Sequence, residues 1–236
     1  MKRECRILLL FLAALLVGCG DDVSAKDDEN DGAAPTTMTD ERDGQVYRIV
    51  AIGEQVWMAE NLNYEYKVDS VIYGNWSFAL DPSGKSDSSA SYGRFYTWAA
   101  AMDTATTGCG DSTVCGKSAA QGICPGGWHL PSEWDWMVLF SSVGADPVAG
   151  TALRAASGWG GNYTDAYGFS ALPTGHRTLD GEISFANDEA SFWSSDDGPE
   201  DALRMRIFDL EPSASIVPGN KDEGYSVRCV RDLPYL

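Results

Sequence analysis

Cys124 stands just before a sharply specified helix start, and Cys229 sits inside the last alternating run of the chain. The chain has six cysteines, of which Cys5 falls in an N-terminal leader and Cys19 is the residue expected to carry lipid just after it, leaving Cys109, Cys115, Cys124 and Cys229. Four thiols in an exported domain allow three pairings. Cys109 and Cys115 bracket the turn-like Gly110-Asp111-Ser112, so a local bridge is natural there, and it pairs Cys124 with Cys229. That second link closes a loop of roughly 105 residues and stabilises by about 4–5 kcal/mol on the chain-entropy model. Zinc is the rival use of four thiols. The CxxC spacing it favours is missing and the compartment is oxidising, so no metal ligand and no cofactor is expected.

The leader sets the compartment. Lys2, Arg3 and Arg6 precede an apolar run from Ile7 to Val17, too short to span a membrane and right for the h-region of a signal peptide. Leu16-Val17-Gly18-Cys19 resembles a bacterial lipobox, which implies cleavage after residue 18 and lipidation of Cys19. Residues 19–43 are rich in Asp and Glu and hold no aromatic residue, so a solvated acidic tether is expected. Cys19-Gly20-Asp21-Asp22 is similar to a signal that sends lipoproteins to the outer surface. The expected address is the bacterial cell envelope, lipid-anchored at the outer membrane, with the cell surface as its further possibility. Of the 17 basic and 35 acidic residues, Lys2, Arg3, Arg6 and Glu4 leave with the leader, so 14 against 34 gives −20. Such a charge argues against nucleic acid as a partner, and membrane contact is expected through the lipid alone.

From Gly44 to Leu236 the pattern becomes globular, as one domain. Val46–Ile52 and Gln55–Met58 flank Gly53-Glu54, which predicts a hairpin with a type II′ turn. Asp180-Gly181 between His176–Leu179 and Glu182–Phe185 predicts a second hairpin. Strands follow at Ser191–Ser194 and Ala202–Phe208, where Leu203, Met205 and Ile207 alternate with Arg204 and Arg206. In Tyr225–Arg231, Tyr225, Val227 and Cys229 fall on one face and Ser226, Arg228 and Val230 on the other. Ser132 with Asp135 forms a capping box, followed by Trp136, Leu139, Phe140 and Val143 at helical spacing and a stop at Gly144. Shorter helices are predicted over Thr97–Met102 and Gly150–Ala156, and loops over Asp81–Ser91 and Gly158–Tyr167. Many short strands with two or three short helices define an α+β domain.

Several phrases together resemble the Fibrobacter succinogenes major paralogous domain. They include Gln55-Val56-Trp57-Met58-Ala59-Glu60-Asn61-Leu62-Asn63-Tyr64, Tyr92-Gly93-Arg94-Phe95-Tyr96-Thr97-Trp98 and Cys124-Pro125-Gly126-Gly127-Trp128-His129-Leu130-Pro131-Ser132. Tyr167-Gly168-Phe169-Ser170-Ala171-Leu172-Pro173, Phe192-Trp193-Ser194-Ser195 and Tyr225-Ser226-Val227-Arg228-Cys229-Val230 complete the order, over about residues 43–232. More distantly, His129–Trp134 and Ser226–Cys229 are similar to phrases of formylglycine-generating-enzyme-like domains, which belong with the C-type lectin-like fold. The resemblance implies a C-type-lectin-like α+β domain, with long loops and two disulfides. In that fold a bridge commonly joins the helix region to the last strand, in agreement with Cys124–Cys229.

The same residues bound the function. Formylglycine-generating enzymes use two closely spaced Cys near the C-terminal end, where this chain has Cys229 alone, and only His129 and His176 are present as histidines. There is no GxSxG, HExxH or phosphate-binding Gly loop, so no catalytic residue is assigned and a non-enzyme is expected. Eight Trp in an extracellular domain point instead to carbohydrate binding, since sugar rings stack on exposed indoles. Trp57, Trp128 and Trp193 are expected in the core. Trp76 and Trp159, in loops with Asn162 and Tyr163, are the expected ligand contacts. The acidic turn Asp196–Asp201 is read as solvated rather than as a calcium site. The sequence thus predicts a non-catalytic surface binding module for polysaccharide or an envelope protein. Its alternatives are a structural protein that docks envelope partners and an enzyme of the formylglycine-generating-like superfold.

Overall fold

The structure, a computed structural model, describes residues 36–66, 77–79, 92–107, 120–198 and 200–232. Leader, lipobox, Cys109, Cys115, Trp76 and the predicted loop at Asp81–Ser91 lie outside them. The described chain is α+β, with two larger antiparallel-rich sheets, one small hairpin and four short helices among the described residues.

The first sheet holds β1 (Thr37–Thr39), β2 (Val46–Ile52), β3 (Gln55–Met58), β6 (Trp128–His129) and β13 (Val230–Arg231), in the order β1-β2-β3-β13-β6. Hairpin β2–β3 forms where predicted, with Ile52 opposite Gln55 and only Gly53 of its two loop residues at positive φ, the type II′ pattern. The expected boundary at residue 43 moves: β1 pairs with β2, and Asp40 is fully buried, held by the Arg42 guanidinium at 2.7 and 2.9 Å. An acidic residue counted as tether is therefore part of the fold, because a neighbouring cation neutralises it.

The second sheet runs β11-β10-β9-β12-β5-β4, from β4 (Ser77–Ala79), β5 (Arg94–Tyr96), β9 (Glu189–Asp197), β10 (Asp201–Phe208), β11 (Ala214–Asn220) and β12 (Tyr225–Ser226). The predicted alternation of β10 is corrected here. The register slips between Ala202 and Arg204, so Arg204 turns inward with Met205 while Leu203 is left half-buried. Hairpin β7 (His176–Arg177) and β8 (Ile183–Ser184) also forms, but not with a two-residue turn. Thr178 N–H donates to Glu182 O and Gly181 N–H to Thr178 O, and only Gly181 has positive φ, which makes a longer loop ending in a glycine bulge.

The last segment joins the sheets. β12 belongs to the second sheet and β13 to the first, while Cys229 O and Val227 O accept from Met58 N–H and Leu62 N–H between them. Its two faces enter different cores. Tyr225, Val227 and Cys229 pack with Met58, Trp98, Trp128 and Trp193, whereas Val230 packs with Trp57, Trp136, Phe192 and Met205. Adjacent residues of β3 and β9 divide in the same way, so these strands are apolar on both sides. The Cys124–Cys229 disulfide is present, with Cα atoms 5.9 Å apart. It is the one disulfide among the described residues.

Helix α1 (Trp98–Ala101, capped by Thr97) packs into the first core, and α2 (Thr104–Thr107) follows it. Helix α3 (Glu133–Ser142) carries the predicted box at Ser132 and Asp135 and buries Trp136, Leu139 and Phe140. Ala145 N–H closes it onto Phe140 O beyond Gly144, a Schellman-type stop. Helix α4 occupies Asp146–Leu153 rather than Gly150–Ala156, because Pro147 in its first turn is a start signal and Arg154 is already extended.

Candidate functional site

The outer face of α3 makes the site. Trp136, Leu139 and Phe140 turn inward, so residues of the opposite stripe, Trp134, Met137, Val138 and Ser141, must face out. Trp134 is 69 % exposed and Met137 also lies open to solvent. Beside Trp134 lies a cleft of about 620 Å³, lined by Glu54, Gln55, Gln121, His129, Ser132, Asp135, Arg231 and Asp232 among others. Glu54, Trp134 and Val138 also line a second depression of about 450 Å³, with Met137 on its wall. The larger volume falls in the range of small-ligand sites.

Four elements converge on that cleft. The β2–β3 turn and the start of β3 supply Glu54 and Gln55, β6 supplies His129, the first turn of α3 supplies Trp134 and Asp135, and the chain after β13 supplies Asp232. His129 Nδ1 lies 2.6 Å from Asp232 Oδ1, and Nε2 lies 3.4 Å from Asp135 Oδ2. Only an imidazolium can donate from both nitrogens to two carboxylates. Burial by itself would lower the His129 pKa, but the hydrogen bonds and charges of Asp135 and Asp232 outweigh it and raise the pKa above its ordinary value. Burial likewise opposes ionisation of Asp135, yet His129 and the Ser132 hydroxyl and N–H hold its pKa below the usual range. Gln55 fixes the floor, with its Nε2 donating to Asp135 O at 3.2 Å and its Oε1 accepting from Trp57 Nε1–H at 3.2 Å. Both histidine nitrogens face carboxylates, so proton transfer to a ligand would first have to break one of these contacts.

The predicted loop contacts are placed differently. Trp159 is only 8 % exposed. Its indole N–H donates to Ala171 O at 2.9 Å, and the Arg154 guanidinium sits over its ring, so it is a core residue rather than an open stacking face. Tyr163 is half-buried and donates to Asp209 Oδ1 at 2.9 Å, while Asn162 is exposed beside it. The loop Gly158–Tyr167 has no helix or strand, as predicted. Trp57, Trp128 and Trp193 are buried, as expected. Trp134 was legible in principle, because it stands two residues from Trp136, and two positions on a helix are on nearly opposite faces.

The remaining candidates have structural partners. Asp196 Oδ2 accepts from Glu133 N–H at 2.5 Å, the first turn of α3, and Asp197 Oδ2 accepts from Lys221 Nζ at 3.1 Å. No group of three or more His, Cys, Asp or Glu that could hold a metal ion occurs among the described residues. His176 stacks on Tyr225 and lies 3.4 Å from Glu189 Oε1, within ion-pair range but too poorly aligned for a hydrogen bond. Arg228 is fully buried and has no carboxylate partner among the described residues. It donates to Asn61 Oδ1, Phe169 O and Ser170 O and packs over the rings of Phe169 and Phe192. Burial pushes its pKa down to about 9, so it stays charged at neutral pH. No helix among the described residues is long and apolar enough to cross a membrane.

The class defined by these features is a disulfide-bearing α+β domain with an aromatic-rimmed polar cleft. The family model for the Fibrobacter succinogenes major domain matches residues 50–231, and the chain belongs to that family. No curated protein and no solved structure matches it.

Proposed function

We propose that this chain is a non-catalytic lipoprotein of the bacterial cell envelope, anchored through Cys19, whose domain binds polysaccharide in the cleft beside Trp134. The observation that carries the reading is the exposure of Trp134 at the rim of a cleft rich in hydrogen-bonding groups. An open indole offers a face to a pyranose ring, and Gln, Asp and Glu around it can fix hydroxyl groups. The reading includes a C-type-lectin-like fold, supported by the bridge from the helix region to the terminal segment and by that segment's place between two sheets. Trp134 replaces Trp159 as the aromatic contact, because Trp159 has no free face to offer.

The test is depletion of the full-length chain, in mild detergent, by insoluble cellulose, xylan and peptidoglycan. Retention on at least one of them, lost in Trp134→Ala, supports the reading. Failure to be retained on any overturns it. Protein docking is the second reading, favoured by Leu179, Ile183 and Phe185 standing exposed on and beside the β7–β8 hairpin. Capture of a defined envelope protein that Phe185→Ser abolishes would support that alternative.

A further inference from the structure

We infer that the Trp134 cleft selects saccharides carrying a free amino group over neutral and acidic ones, an inference that rests on the polysaccharide-binding reading. Three carboxylates from separate elements line one cavity: Glu54 of the β2–β3 turn, Asp135 of α3 and Asp232 after β13. They are not equivalent. Asp135 is spent on Ser132 and His129, with Ser132 Oγ at 2.6 Å and Ser132 N at 2.8 Å. Glu54 makes no hydrogen bond or ion pair among the described residues, and the second oxygen of Asp232 is equally unengaged there. The Glu54 carboxylate and the second oxygen of the His129-paired Asp232 thus stand open in a cleft whose rim is an exposed indole.

The opposing charges do not cancel them. Arg231 lies over the Trp128 ring, 5.1 Å from its centroid, and His129 is held between two aspartates. A uronate or phosphate entering the cleft would meet three carboxylates and only these two already engaged cations. A neutral sugar would find acceptors for its hydroxyls. A protonated amine would gain more, because a hydrogen bond with charge on both sides is about twice as strong as a neutral one. The indole adds attraction for the same cation through its ring face. The cavity, the open aromatic and the unpaired acceptors therefore converge on one ligand class.

The experiment is calorimetric titration of the full-length chain at about pH 6, where a sugar amine is largely protonated. The probes are the β-1,4-linked glucosamine tetramer, cellotetraose and tetragalacturonate. The glucosamine tetramer should bind roughly five- to tenfold more tightly than cellotetraose, the difference between a charged and a neutral hydrogen bond. Tetragalacturonate should bind most weakly. Glu54→Gln, at an exposed residue with no hydrogen bond or ion pair among the described residues, keeps an acceptor for hydroxyls and removes the charge, so it should lower affinity for the glucosamine tetramer more than for cellotetraose and so cut the amine preference. Adding Asp232→Asn, in a protein whose thermal midpoint confirms folding, should bring the ratio close to one. Equal affinity of the native chain for the glucosamine tetramer and cellotetraose overturns the inference and leaves polysaccharide binding standing. Binding to none of the three overturns both.

Discussion

Cys124 is bonded to Cys229 across 105 residues of sequence, with their Cα atoms 5.9 Å apart. The bond fastens the loop before β6 to the stretch that links the two sheets, and Cys229 O also accepts from Met58 N–H at 3.0 Å. Closing so long a loop in the unfolded chain stabilises the fold by about 4–5 kcal/mol. The double variant Cys124→Ala, Cys229→Ala should therefore lose about 10 °C or more of thermal midpoint, measured by calorimetry. A loss under about 2 °C would show that the denatured chain is already compact enough to make the bond redundant.

Glu189 and Arg204 form a buried ion pair between β9 and β10, with Arg204 NH1 at 2.8 Å from Glu189 Oε1 and Ser191 Oγ bonded to both. Burial opposes the Glu189 charge, but His176 and Arg204 beside it overcome this and pull its pKa from 4.5 to about 2. A depressed carboxylate stabilises the fold above its ordinary pKa, and that stabilisation drains away as pH falls from about 4.5 toward 2. Glu189→Gln leaves Arg204 charged and buried, so it should cost about 3–5 kcal/mol at neutral pH. It should also flatten the acid limb of a urea-midpoint profile. An unchanged acid limb would place the acid sensitivity in other carboxylates.

The contrast between α3 and β10 shows what the sequence could and could not reveal. Helix α3 is written locally: the box at Ser132 and Asp135, the inward stripe and Gly144 all lie within one short stretch, and each acts on its neighbours. The inward turn of Arg204 depends on a bulge against β9 and on the distant Glu189, neither of which alternation within β10 contains. The site divides in the same way. The outward stripe from Trp134 to Ser141 could be read from helical spacing, while the approach of Glu54 and Asp232 to it depends on how β3 and β13 pair. Trp159 misleads because its Gly-rich setting looks open, although Arg154 and Ala171 O take up its ring and its N–H.

Gly150 lies inside α4, where alanine ordinarily stabilises by about 1 kcal/mol. Here a Cβ would stand 2.2 Å from Ser213 O and 2.9 Å from Pro212 O, and Thr151 N–H donates to that same Pro212 carbonyl. The obstacle is backbone and cannot swing away. Gly150→Ala should therefore destabilise by about 1–3 kcal/mol, the cost of overpacking. Gly126→Ala, whose Cβ would meet nothing within 4 Å, serves as the control and should stay within about 0.5 kcal/mol of the native chain. Equal urea midpoints for the two variants would show that the α4–Ser213 contact yields easily.

His129 and Asp232 couple the end of the chain to the cleft, and the coupling has a definite sign. The folded pKa of His129 lies above its ordinary 6.5, so its charge stabilises the fold fully below about pH 6.5. That contribution disappears as pH rises through the raised value, when the imidazole loses one N–H and can no longer donate to both carboxylates. Asp135 acts in the opposite window: its depressed pKa stabilises above about 3.8 and is lost on acidification. Urea midpoints should therefore decline from pH 6 toward pH 9, and Asp232→Asn should reduce that decline by removing the 2.6 Å partner. The variant should lose stability chiefly at the lower end of this range, where the histidine is charged. A native profile that stays level from pH 6 to pH 9, or an identical decline in Asp232→Asn, would mean that the carboxylates hold the ring in place without their charge contributing to the fold.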